Sequence, residues 1–166
     1  VHLIYRYESG DKDLMLHHCI KMDDGADLTL LESGTAGARL NSVLEVDVAD
    51  GARFHHVRIQ GRDRDRRVNT HVFARIGEES LFKSFTLAMN GVLTRNEVVM
   101  DIVGHSANAH VAGASVGDGA NFHHDDTVFI THAGVGCESR QVFKKVLRNG
   151  ATGVVQGKIL VKQSAQ

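Results

Sequence analysis

The segment Asp50-Gly51-Ala52-Arg53-Phe54-His55-His56 returns 68 residues later as Asp118-Gly119-Ala120-Asn121-Phe122-His123-His124, with six of seven residues identical. Shorter echoes surround it. Asp24-Gly25-Ala26-Asp27 precedes Asp50-Gly51-Ala52-Arg53 by 26 residues, and Ile76-Gly77-Glu78 follows after another 26. Asn149-Gly150-Ala151-Thr152 repeats the chemistry further on. Asp-Gly and Asn-Gly steps supply the positive φ that a sharp corner needs. Recurrence at this period marks a solenoid, whose units bury their apolar faces only by stacking on one another. The two pairs His55-His56 and His123-His124 are read as following equivalent corners. An antiparallel sandwich or barrel also spaces its strands every 8–12 residues. The coil is preferred because the corners recur in kind as well as in spacing.

Between corners the pattern has a period of two. Val68, Thr70, Val72, Ala74 and Ile76 fall on one face of Val68–Ile76. Val155, Ile159 and Val161 share a face in the last segment, with Gln156, Lys158, Leu160 and Lys162 opposite. This is the signature of a half-buried strand. Further strands are expected near 14–22, 27–32, 40–48, 53–60, 80–89, 95–103, 108–116 and 125–131. Residues 141–147 are ambiguous: Val142, Phe143, Val146 and Leu147 share a helical face, whereas a strand would turn Phe143 and Leu147 inward. Arg62-Asp63-Arg64-Asp65-Arg66-Arg67 alternates in sign and reads as a solvated connection.

Composition narrows the class. The chain has 166 residues, 42% hydrophobic and 23% charged, which suits one soluble globular domain. A formal net charge of −1 offers no basic excess for phosphates, so no nucleic-acid partner is expected. No apolar run spans a membrane, and Val1–Gly10 lacks a signal-peptide layout. Two distant cysteines, Cys19 and Cys137, point to free thiols in a reducing, cytoplasmic setting. Proline is absent where a typical chain this long would carry roughly eight. Proline cannot donate to a ladder, so its absence fits nearly continuous strand pairing. The chain opens inside a strand-like stretch, Val1–Tyr5, and stops just after another, so a fragment of a longer protein is expected.

The stretches His132-Ala133-Gly134-Val135-Gly136-Cys137-Glu138-Ser139-Arg140-Gln141-Val142-Phe143-Lys144 and Gly150-Ala151-Thr152-Gly153-Val154-Val155-Gln156-Gly157-Lys158-Ile159-Leu160-Val161 resemble the core region of the SufB/SufD family of iron–sulfur cluster assembly proteins. The detail is nearer the SufD branch. The resemblance implies an all-β, right-handed parallel β-helix over residues 1–166, without the N- and C-terminal helical regions of full-length members. It implies a strand at 141–147. It further implies a scaffold role beside a SufB-like paralogue and a SufC-like ATPase, in the context of an iron–sulfur cluster that this fragment does not itself hold. The family's Cys-x-His segment would lie beyond Gln166. A truncated coil exposes backbone edges and apolar layers, so a two-fold homodimer of the fragment is expected.

Candidate chemistry is sparse, and no catalytic or cofactor-binding residue is expected. Eleven histidines raise a metal hypothesis: His17-His18 lies beside Cys19, and His55-His56 and His123-His124 each follow a corner, although surface or hydrogen-bonded histidines next to a turn are the plainer reading. Adjacent residues of a strand face opposite ways, so none of these pairs can chelate one ion from a single face, although one member of each could stack across coils. Cys137 with His132 is the sharper pair, yet a cluster normally needs four protein ligands. A small thiol packed like a hydrophobe is the plainer reading of Cys137. Asp23-Asp24 and Asp125-Asp126 raise a carbohydrate-active β-helix enzyme as the alternative, since glycoside hydrolysis uses two carboxylates. Such grooves also use aromatic platforms, and here aromatics are 5% with no tryptophan. No Gly-x-x-x-x-Gly-Lys-(Ser/Thr) loop occurs, so ATP chemistry would belong to a partner.

Overall fold

Alternating residues, β-branched side chains and proline-free segments fold here into strands and almost nothing else. The computed structural model describes residues 1–6, 13–34, 39–61 and 65–166. Among these residues the strands are β1 (His2–Tyr5), β2 (Asp13–Met22), β3 (Asp27–Gly34), β4 (Arg39–Val48), β5 (Arg53–Gln60) and β6 (Arg67–Ile76). They continue as β7 (Leu81–Met89), β8 (Leu93–Ile102), β9 (Asn108–Asp118), β10 (His123–His132), β11 (Glu138–Arg148) and β12 (Thr152–Val161). A single 3-10 turn, Gln163–Ala165, follows β12. No helix among the described residues is long and apolar enough to cross a membrane.

The odd strands form one sheet, in the order β1-β3-β5-β7-β9-β11, and the even strands form another, β12-β10-β8-β6-β4-β2. Every pairing is parallel. Asp27 faces Arg53 and Asn108 faces Glu138, so one coil takes 26 to 30 residues. This is the expected parallel β-solenoid, and it excludes the antiparallel sandwich. Parallel pairs cannot be joined by hairpins, and here each crossover is the strand of the opposite sheet.

One corner, between each even strand and the next odd strand, repeats in every coil. Gly25 (φ 69°), Gly51 (φ 68°), Glu79 (φ 51°), Ser106 (φ 54°) and Gly136 (φ 70°) occupy it in turn. The expected 26-residue spacing therefore holds from Gly25 to Gly51 and then stretches by two residues. Glu79, not Gly77, is the left-handed residue of the third corner.

The longer echo needs correction. Asp50–His56 leads from β4 into β5, whereas Asp118–His124 leads from β9 into β10, on the opposite edge of the solenoid. The two are separated by about two and a half coils, so their corners are not equivalent. What repeats is local: Phe54 and Phe122 turn inward, as do His56 and His124, while His55 and His123 point outward. The in-register neighbours of His56 are Leu30 and Ser84, and those of His124 are Thr94 and Gly153, so no histidine ladder forms.

Residues 141–147 are strand. Ser139, Gln141, Phe143, Lys145 and Leu147 turn towards the interior, and the Phe143 ring fills the space left by the missing side chain of Gly113, its partner on β9. Ladder pairing along β9 outweighs the local helical pattern. The charged connection is also corrected. Arg62, Asp63 and Arg64 lie outside the described residues, but Arg66 is 1% exposed and donates to the carbonyls of Gly61 and Asn90. It ties two corners together from inside and is not a solvated residue.

The interior is divided lengthwise. Towards the corner that leaves the even strands, the inward rows are apolar: Val46, Ala74, Met100 and Ile130 on one sheet face Phe54, Phe82 and Ala109 on the other. Towards the opposite corner the buried rows are polar: Ser42, Thr70, Asn96 and Asp126 on the even sheet, with Glu32, Arg58 and Gln60 on the odd sheet. Inward parity is constant while chemistry changes along each strand.

Candidate functional site

Buried polar groups must find partners, and in this solenoid they find each other. The first network centres on Glu32. Its Oε1 accepts from the Tyr5 hydroxyl at 2.7 Å, and its Oε2 accepts from His56 Nε2 at 2.8 Å and from Arg58 Nε at 2.6 Å. Burial favours the neutral ring, in which Nε2 donates to Glu32 and Nδ1 accepts from the Ser84 hydroxyl at 2.9 Å. Burial is the largest influence on both titrations. It lowers the His56 pKa, and the Glu32 hydrogen bond only partly opposes it. Burial would raise the Glu32 pKa, yet the His56 hydrogen bond, the Arg58 charge and the Tyr5 hydroxyl together hold it well below the carboxylate range.

The second network lies deeper along the same polar half. Asn96 Oδ1 accepts from Gln60 Nε2 and from the Thr70 hydroxyl, each at 2.7 Å, and Asn96 Nδ2 donates to Asp126 Oδ1 at 3.2 Å. Lys145 Nζ donates to Asp126 Oδ2 at 2.7 Å and to His124 Nδ1 at 2.9 Å. A ring nitrogen that accepts from an ammonium belongs to a neutral imidazole. Burial, foremost, and the Lys145 charge push the His124 pKa down to about 4 against the opposing pull of Asp126. Between the networks lie voids of about 40 and 20 Å³, and Arg58 and Thr70 line both. Either void has room for a water, which would satisfy Arg58 Nη2, a buried donor with no protein partner.

The residues singled out from sequence fall in scattered places. Cys137 packs against the apolar core and its thiol donates to the Gly104 carbonyl at 3.1 Å. The His132 ring hydrogen-bonds Ser139 Oγ at 2.9 Å. Both cysteines are free thiols. Asp125 faces outward and Asp126 inward, so that pair does not present two carboxylates to one groove. Asp23 and Asp24 sit exposed at a corner.

On the outer face of the even sheet the structure assembles a group that sequence reasoning missed. His17 and Cys19 are two apart on β2 and share a face, and Glu45 on β4 stands in register with Cys19. Among the described residues this is the one group of three His, Cys, Asp or Glu side chains whose ligand atoms converge. The His-x-Cys alternation within β2 is the signal the sequence carries for it. His18 turns inward to the Tyr5 hydroxyl, at 3.3 Å.

Comparison with known families fits this architecture. Residues 5–166 match the family described as SUF system FeS cluster assembly, SufBD core domain. The chain belongs to the SufBD core-domain family. Neither curated proteins nor solved structures supply a significant match. Membership of the SufBD family connects the chain to iron–sulfur cluster assembly by the SUF system and, in general, to the other components of that system.

Proposed function

We propose that this chain is a SufD-type scaffold of cytoplasmic SUF assembly, which works by docking onto a SufB-like paralogous core and leaves ATP chemistry to a SufC-like ATPase. One observation carries this reading. In the last coil, Val155, Ile159 and Val161 continue the inward rows of Asp126, Ile130 and His132, yet each is about half exposed where its predecessor is buried. The outer edges of β11 and β12 also lack a strand neighbour among the described residues. Open apolar rows beside unpaired backbone invite another strand layer. A paralogue with the same coil spacing is the natural match, and a second copy of this chain can take its place by two-fold pairing.

Co-expression tests the reading. A SufB-like paralogue and its ATPase should co-purify with the chain, and light scattering of the chain alone should report two copies. Ile159→Lys with Val161→Lys should abolish both associations while the β-sheet circular dichroism persists. A monomer that captures neither protein overturns the proposal. The carbohydrate-active alternative gains no support, because the carboxylate pairs do not converge on a groove.

A further inference from the structure

We infer that His17, Cys19 and Glu45 form a binding site for a divalent transition metal of the zinc type on the outer face of the even sheet. The inference is independent of the docking proposal. Strand geometry supplies the frame: residues two apart share a face, and in-register residues of adjacent strands lie within about 5 Å. His17 Nε2 is 2.9 Å from Glu45 Oε1 and 3.6 Å from Cys19 Sγ, and the three ligand atoms all lie within 4.8 Å of one another.

Those separations suit a metal. With zinc–nitrogen and zinc–sulfur bonds of about 2.0 and 2.3 Å, a tetrahedral nitrogen–sulfur edge is about 3.5 Å. The observed pair already stands close to that distance. The nitrogen–oxygen edge would be about 3.4 Å, so the His17–Glu45 hydrogen bond needs to open by only about half an ångström. Side chains exposed on a sheet face can make that adjustment without moving the backbone.

Charge balances as well. A thiolate, a carboxylate and a neutral imidazole neutralise a divalent cation, with the thiol proton released to solvent on binding. The mixed nitrogen, sulfur and oxygen donors favour zinc or cobalt over magnesium or calcium. Asp47, the next outward residue on β4, is held by Arg75 at 3.3 Å and leaves three protein ligands. The fourth position would face a groove of about 490 Å³ that Cys19 and Glu45 line together with Phe73, Arg75, Val99 and Asp101. Three protein ligands with one open position make a site able to exchange a small anionic ligand.

Anaerobic titration of the whole chain with cobalt(II) tests the site. One equivalent should produce a thiolate-to-metal charge-transfer absorption with tetrahedral ligand-field bands, and zinc should displace both. Cys19→Ser should lose the charge-transfer band, whereas Cys137→Ser should keep it. His17→Ala and Glu45→Gln should each weaken binding by about tenfold or more, since even indirect supports of a ligand are worth that much. All four variants should retain the circular dichroism of the parent. Absence of the band in the parent, its survival in Cys19→Ser, or its loss in Cys137→Ser would overturn the inference, as would spectra showing histidine-only binding.

Discussion

At the scale of single residues, the interior carries charge that most cores avoid. Glu32, His56 and His124 are each at most 2% exposed, and burial together with the partners they meet there shifts their titrations. Stability must therefore depend on acid. An unfolded histidine titrates near 6.5, but His124 in the fold does so at about 4, so between those values the unfolded chain binds the extra proton. Stability from this group is present above pH 6.5 and is lost as pH falls towards 4, by on the order of 3 kcal/mol in all. His56 acts in the same direction. Glu32 extends the loss below the ordinary carboxylate range, because its folded pKa is also depressed. Urea unfolding followed from pH 7 to 4 should show a falling midpoint, and His124→Gln should make that slope shallower. An unchanged slope in the variant would show that His124 does not titrate on unfolding. None of this was legible beforehand. Strand parity places Glu32, Arg58 and Asp126 inward, but parity cannot reveal that Glu32 meets Arg58 on the next coil or that Asp126 meets Asn96 and Lys145.

Elements were far more legible, because period-two alternation and glycine corners are local properties. Val68–Ile76 was readable as a strand with its five inward residues, and the order of strands along the chain followed. What escaped was the phase between corners. The heptapeptide echo joins opposite edges because identical local chemistry can turn either corner. Glycines at one corner also do two separate jobs. Gly25 has positive φ with open space where a Cβ would stand. At Gly104 a Cβ would collide with the backbone of Gly77 and Glu78, and at Gly134 with the backbone of Gly104. Glu79 and Ser106 hold the same positive φ as Gly25, so conformation alone is tolerable there. Gly25→Ala should then cost about 1 kcal/mol. Gly104→Ala should cost about 2–3 kcal/mol or more, since two coils must separate. Denaturant midpoints of the two variants give the comparison, and equal losses would refute close coil approach as the reason for glycine at 104.

For the whole molecule, stacking makes stability nearly one-dimensional: each coil rests on the coil before and the coil after. Middle strands such as β6 and β8 have ladders on both sides, whereas β1, β2, β11 and β12 have one each among the described residues. Native-state hydrogen exchange should accordingly be slowest through β4–β8 and fastest in the single-ladder strands β1, β2, β11 and β12. Adding the paralogous core should slow exchange in those last two strands selectively; uniform protection, or none, would argue against docking at that end. The fold class could be read from sequence because a solenoid repeats its own grammar. The surface metal triad could not, because Glu45 joins His17 and Cys19 only through the offset between neighbouring coils.

The lengthwise division of the interior has a mechanical consequence. One flank is glued by close-fitting hydrocarbon, which resists both water and shear. The other is held by directional contacts among charged and amide groups, which water can replace one at a time. The solenoid is thus built like a bound volume, with a stiff spine along the corners that leave the even strands and a fore-edge that hydration can part. Any partner or solute that perturbs this domain will find its leaves easiest to open from the side of Glu32, Asn96 and Asp126.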